Sequence, residues 1–140
     1  KNPNVYSLIH ADLHTGNLIS HGSRLHIIDF DDAGFGWHTY DFAVALSEIQ
    51  DSESRKPLLD ALFRGYERER HLEAWEKDLV PLFNVIRHLA HIGWIDARPD
   101  LTRDPAYKHR SYEYANNLLQ DAVADAKPVI ARMSHATESR

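Results

Sequence analysis

Cysteine is absent from these 140 residues. Disulfide cross-links and thiolate catalysis are excluded with it. No apolar run approaches the roughly 18 residues that a membrane span needs. No run of Lys and Arg occurs. Sixteen basic against 21 acidic side chains give a net charge of −5 with His neutral. An acidic chain without a basic patch is a poor match for a phosphate backbone. Neither nucleic acid nor a membrane is therefore expected as a partner. Internal repeats and low-complexity tracts are also missing. Nothing before Tyr6 reads as a signal peptide. What is present is ordinary for a folded soluble domain: 43% of residues are hydrophobic and 26% charged. A chain of this length can bury about two-thirds of its unfolded surface, so a core is feasible. Position 1 is Lys, and a strand already begins at Tyr6. The chain is expected to start in the middle of a fold, as a fragment or one lobe of a longer protein. His, at 10 residues, is enriched.

The composition shifts once. Residues 1–38 are rich in His, Asp and Gly, and residues 39–127 carry helical periodicity, within a helical part expected over 39–133. Tyr6 to Ile9 reads as a strand. Leu18-Ile19 and Leu25 to Ile28 read as two further strands, joined at His21-Gly22-Ser23 into a hairpin. Asp29 to Gly36 reads as a loop, in which Gly34 and Gly36 are expected to supply positive φ. Thr39 is the expected N-cap of a helix carrying Phe42, Ala45, Leu46 and Ile49. A second helix is expected from Ser54 and Pro57, with Leu58, Leu59, Leu62, Phe63 and Tyr66 in one stripe. A third spans Trp75 to Gly93 and is kinked at Pro81 or starts there. Arg98-Pro99-Asp100 is a break. A fourth runs from Tyr107 to Ala126, with Tyr114, Ala115, Leu118, Leu119, Ala122 and Val123 inward, and Pro128 ends or kinks it. Residues 134–140 are expected to form a frayed polar tail.

The chemistry is concentrated in two short blocks. His10-Ala11-Asp12-Leu13-His14-Thr15-Gly16-Asn17 is followed, twelve residues after Asn17, by Asp29-Phe30-Asp31. The hairpin between them folds Asn17 and Asp29 back beside each other. Phosphoryl transfer from a nucleoside triphosphate needs this layout. One carboxylate orients the acceptor hydroxyl and takes its proton. An amide oxygen and a second carboxylate hold Mg²⁺, an ion that prefers hard oxygen ligands to His or Cys. The spacing H-x-D-x-x-x-x-N matches the kinase catalytic loop, and Asp29-Phe30 falls where its metal-binding D-F-G begins.

With Tyr40-Asp41-Phe42-Ala43 added, these blocks resemble the aminoglycoside phosphotransferase and choline kinase superfamily. The resemblance covers about residues 6–46. It implies an α+β but mainly helical fold, the C-terminal lobe of a protein-kinase-like enzyme with a small β-hairpin at the cleft. It implies an ATP- and Mg²⁺-dependent phosphotransferase acting on a hydroxyl of a small molecule, such as an amino sugar or amino alcohol, or of a protein. By the same resemblance Asp12 is the catalytic base, and Asn17 and Asp29 are metal ligands. Asp41 braces the catalytic loop through backbone amides, and the helices after Thr39 bind the acceptor. The N-terminal lobe, with its Gly-rich loop and strand Lys, is not recognisable here, so this stretch alone is not expected to turn over ATP. Ala11 stands where many relatives have Gly, a departure to which the sequence attaches no consequence. The need for ATP places the protein in the cytoplasm.

Other residues admit two readings each. Asp31 is a candidate further metal ligand or a solvated loop residue. Asp32 reads as structural. His10 and His14 read as supports of the catalytic loop. His88 and His91 lie three apart on one helical face, the spacing of a metal pair, but no third ligand is evident. Trp94, Asp96 and Arg98 are candidates to line the acceptor pocket, and Tyr107, Tyr112 and Tyr114 read as packing. One rival enzyme is a metal-dependent hydrolase whose cluster is His10, Asp12, His14, Asp29 and Asp31. It leaves Asn17 and Asp41 unexplained. A second rival is a non-catalytic kinase-like binding module, against which the presence of Asp12, Asn17 and Asp29 together counts.

Overall fold

A computed structural model describes residues 2–49, 51–98 and 104–138. The fold is mainly helical, with two small antiparallel sheets. It divides into a unit of residues 1–80 and a unit of residues 81–140. None of the described helices is long and apolar enough to cross a membrane.

In the first unit, β1 (Tyr6–Ile9) pairs with β4 (Gly34–Trp37), and β2 (Leu18–His21) pairs with β3 (Arg24–Ile27). β4 lies in the stretch that the sequence reads as loop. Its register sets Ile9 against Gly34 and Tyr6 against Trp37. Gly34 and Gly36 do not supply positive φ. That conformation belongs to Gly22, at 61°, and to two non-glycine residues, Ala11 at 65° and Asp29 at 63°. Gly36 is needed for room: a Cβ there would lie 2.3 Å from Cδ1 of Ile9. The sequence misses β4 because two glycines in four residues weaken the strand signal. Pairing with β1 overrides that propensity.

α1 (His38–Leu46) follows β4 directly. Its N-cap is Trp37, not Thr39, and it ends before Ile49. Thr39 is buried in the first turn, and its hydroxyl donates to the Glu76 carbonyl at 3.3 Å. Phe42, Ala43, Val44 and Leu46 are all buried, which makes α1 the core element of this unit. Phe42 meets the rings of Phe63 and Tyr66 edge-on, each at 5.1 Å. Those two rings come from α2 (Ser52–Tyr66). Burying a side chain such as Phe42 contributes about 1.5–3 kcal/mol, so α1 is a firm platform for whatever it carries. α2 starts two residues earlier than expected because Asp51 caps it. The Asp51 carboxylate accepts from the Ser54 hydroxyl and from the amides of Glu53 and Ser54, and these bonds, the hydroxyl's first, lower its pKa.

The expected third helix is two helices: α3 (Ala74–Asp78), and α4 (Val80–Asp96) with Pro81 in its first turn, where the missing N–H costs nothing. In the second unit, α5 (Pro105–Glu138) is longer than expected. It runs through Pro128, with Ala126 and Val129 buried on either side. It also continues through the residues expected to fray, as far as Glu138. Its inner stripe is Ala115, Leu118, Ala122, Ala126 and Val129, while Tyr114 and Val123 are exposed. Tyr107 is exposed too, so it does not pack as expected. Of the expected break and tail, Pro99, Asp100, Ser139 and Arg140 lie outside the described residues.

Candidate active site

The loop between β1 and β2 is built from backbone outward. The Asp41 carboxylate reaches across from α1 and accepts two amides at once, His10 N–H at 2.9 Å and Ala11 N–H at 2.8 Å. One residue thereby satisfies two donors that the loop's own geometry leaves open. The loop turns sharply there, with Ala11 in the left-handed region. Asp12 follows directly, with its side chain one-fifth exposed.

His10 is buried and works behind the loop. Its Nδ1 accepts from the Asp12 amide at 3.3 Å, and its Nε2–H donates to the Ile28 carbonyl at 3.0 Å. Its ring lies 4.6 Å from that of Phe30. Both ring nitrogens are therefore committed to backbone groups. The Ile28 amide donates to the Asn17 carbonyl at 3.0 Å. This extends the β2–β3 ladder by one step beyond the Leu18–Ile27 pair. Ile28 is thus held from two sides, and Asp29 is delivered next to the loop. Asp29 is exposed and in the left-handed region.

The Asn17 side chain is buried. Its Nδ2 donates to the Asp12 carbonyl at 2.9 Å and to Asp12 Oδ2 at 3.2 Å. With Nδ2 so engaged, Oδ1 is the end of the amide left for a cation. His14 accepts the Gly16 amide on Nδ1 at 3.0 Å, so the neutral ring carries its proton on Nε2, 3.3 Å from Asp12 Oδ2. Glu48 is also near: the Thr15 hydroxyl donates to its Oε2 at 2.9 Å, and His14 Nδ1 lies 3.9 Å from its Oε1.

The candidate metal ligands offer amide and carboxylate oxygen: Asn17, whose backbone carbonyl takes the Ile28 amide, and Asp29, the residue after Ile28. Oxygen donors of this kind fit a hard divalent cation. The hydrolase cluster does not form. His10 has no free nitrogen, and no three His, Asp or Glu side chains converge to hold a metal among the described residues. Asp31 and Asp32 sit exposed in the turn closed by the Ala33 amide on the Phe30 carbonyl.

The remaining candidates lie in the second unit. The Arg98 guanidinium stacks 4.1 Å from the Trp94 ring centre. The Tyr112 hydroxyl donates to Asp96, and that carboxylate raises the phenol pKa. His88 is buried, and His91 meets Trp94 edge-on at 6.2 Å. Sequence reasoning missed Glu48, His38 and Arg70. His38 and Arg70 meet through a hydrogen bond across 32 residues, which no local spacing reveals.

The profile of the phosphotransferase enzyme family matches residues 3–79. Amicoumacin kinase of Bacillus subtilis (strain 168) is 26% identical over 110 residues, 72% of this chain and 33% of that protein. A solved structure of a microcompartment-associated aminopropanol kinase matches with a TM-score of 0.72 and 32% identity, over 89% of this chain and 40% of that one. An amicoumacin kinase in complex with AMP-PNP and Ca²⁺ matches with a TM-score of 0.71 and 25% identity, over 86% and 39%. The chain spans a third to two-fifths of the length of these relatives. Its fold is that portion of a kinase-like phosphotransferase.

Proposed function

We propose, since this chain belongs to the phosphotransferase enzyme family, that the protein carrying it transfers the γ-phosphoryl group of ATP to a hydroxyl of a small molecule. The observation that carries this reading is the grip of the Asp41 carboxylate on the His10 and Ala11 amides, which presents Asp12 beside Asn17. Asp12 accepts the hydrogen bond of the acceptor hydroxyl. It takes the proton as that oxygen attacks the γ-phosphorus and ADP leaves. Asn17 Oδ1 and Asp29 hold Mg²⁺, and Asp31 is the candidate for a second ion. Held by those residues, the ion would supply positive charge to offset what develops on the transferring phosphoryl group. His10, His14 and Asp41 keep Asp12 in register. Trp94, Asp96 and Arg98 are the candidates to bind the acceptor, and the Asp96 carboxylate suits an amino alcohol or amino sugar. The nucleotide phosphates are covered by an N-terminal lobe, and the enzyme works in the cytoplasm. A solved relative holding AMP-PNP and Ca²⁺ supports the nucleotide and a divalent ion. The test is ³¹P NMR of the full-length protein with ATP, Mg²⁺ and a panel of amino alcohols and amino sugars. A phosphomonoester should form and should vanish with EDTA. ATP left intact across the panel, or a product made equally well with EDTA, would count against the reading.

A further inference from the structure

A buried node lies behind the catalytic loop, away from the groups already assigned. His38, the first residue of α1, is 4% exposed. Arg70 Nη1 donates to His38 Nε2 at 3.0 Å, and Ser7 Oγ lies 2.7 Å from the same nitrogen. Guanidinium can only donate. Nε2 therefore carries a lone pair, the Ser7 hydroxyl donates as well, and the ring is neutral with its proton on Nδ1. Arg70 also donates to the Pro3 carbonyl, and the His38 amide donates to the Val5 carbonyl at 3.2 Å. His38 and Arg70 together thus join four segments: the entry to β1, β1 itself, α1, and the stretch after α2. Ser7 lies three residues before His10, and Asp41 lies three residues after His38, one helical turn away. The node joins the two elements whose alignment sets the Asp41 bonds.

The groups facing the ring are mixed. Arg70 is the cation. The carboxylates of Asp41 on α1 and Glu76 on α3 are the anions, and the Asn4 carbonyl faces it from the entry segment. Tyr66 of α2 lies 6.4 Å away, ring to ring. Burial and Arg70 outweigh the anions and hold the imidazole below its ordinary value of 6.5. Glu76 is itself buried, with Oε1 lacking a hydrogen bond among the described residues.

We propose that His38 is a pH-sensitive positioning residue: as a neutral acceptor for Arg70 and Ser7 it fixes the first turn of α1 against β1, and its protonation loosens the Asp41 carboxylate from the His10 and Ala11 amides. A proton on Nε2 removes the acceptor that Arg70 and Ser7 share there. It also sets a second cation against Arg70 in a buried space, where like charges repel strongly. The new cation is drawn to the carboxylates of Asp41 and Glu76, and the pull on Asp41 competes with the two loop amides. The consequence for catalysis rests on the phosphotransferase reading; the structural coupling does not.

The test is an NMR titration of the full-length protein between pH 8 and 5, with no acceptor present. It follows the His38 ring nitrogens and the amides of His10 and Ala11. At pH 8 the ring should show protonated Nδ1 and bare Nε2. As pH falls, the two amides should move upfield with the same midpoint as the ring, below 6.5. In His38→Gln, whose side-chain oxygen can accept from Arg70 but does not titrate, that movement should disappear. In Arg70→Met the ring midpoint should rise, and the amides should follow it. The wild-type and Arg70→Met titrations decide the matter even if His38→Gln does not fold. Amides that stay fixed while the ring titrates, or that move equally in His38→Gln, would overturn the proposal. Failure to phosphorylate any acceptor would sink the functional reading and leave these shifts as they are.

Discussion

Asp41 shows how one side chain fixes a loop. Its two oxygens each take one amide, at 2.9 and 2.8 Å. Asp41→Ala leaves both donors unpaired in a half-buried setting, at a cost of about 1–3 kcal/mol. The melting temperature of the full-length protein should fall, and turnover should fall further, because small misplacements of Asp12 are costly in rate. A variant that melts and turns over as the wild type does would remove Asp41 from the account. Ala11 and Asp29 make the opposite point. Both hold positive φ without being glycine. An L-residue there costs about 1–2 kcal/mol, and glycine returns about 0.5–1 kcal/mol of that as extra freedom in the unfolded chain. Ala11→Gly should therefore stabilise by up to about 1 kcal/mol in chemical denaturation and keep activity. Asp29→Gly should stabilise similarly and lose Mg²⁺-dependent turnover. Strain at Asp29 is then retained for function, whereas strain at Ala11 is incidental. Destabilisation by Ala11→Gly would contradict this. The block spacings pointed to Asp12, Asn17 and Asp29, but spacing says nothing of φ, so the consequence of Ala11 was not legible.

At the scale of elements, helices and the β2–β3 hairpin were legible because periodicity and turn residues report them directly. β4 was not, because Gly34 and Gly36 suppress the local signal and only the pairing with β1 creates the strand. The inner face of α5 was read too wide and too short: Ala115, Leu118 and Ala122 are buried as expected, but Tyr114 and Val123 are exposed, and the buried stripe runs on to Ala126 and Val129. α1 carries a pH prediction. While His38 is neutral in both folded and unfolded chains it contributes no pH dependence. As pH falls through 6.5 the unfolded chain takes the proton first, because the folded pKa is lowered by burial and Arg70. Stability is lost from there downward until the folded state also protonates. The melting temperatures of wild type and His38→Gln should therefore converge between pH 7.5 and 5.5, in the range on the order of one unit either side of an ordinary histidine pKa. Parallel curves would show that His38 is not the group responsible.

For the whole molecule, the family match and the first structural unit end almost together, at residues 79 and 80. The proposed base Asp12 and the proposed metal ligands Asn17 and Asp29 lie in that unit, and Trp94, Asp96 and Arg98 lie in the other. If the second unit serves the acceptor, Asp96→Asn in the full-length enzyme should raise KM for a cationic acceptor and leave KM for ATP unchanged. An equal rise in both would mean a general loss of structure instead. The central claim is that Asp12 takes the proton of the attacking hydroxyl. The most direct test compares Asp12→Asn with wild type in the full-length enzyme, measuring kcat together with MgATP affinity. The Asn side chain leaves the backbone bond from Asn17 to the Asp12 carbonyl in place. MgATP affinity should be retained while kcat falls by about 10²–10⁴. A variant that binds MgATP normally and turns over at the wild-type rate would contradict the account.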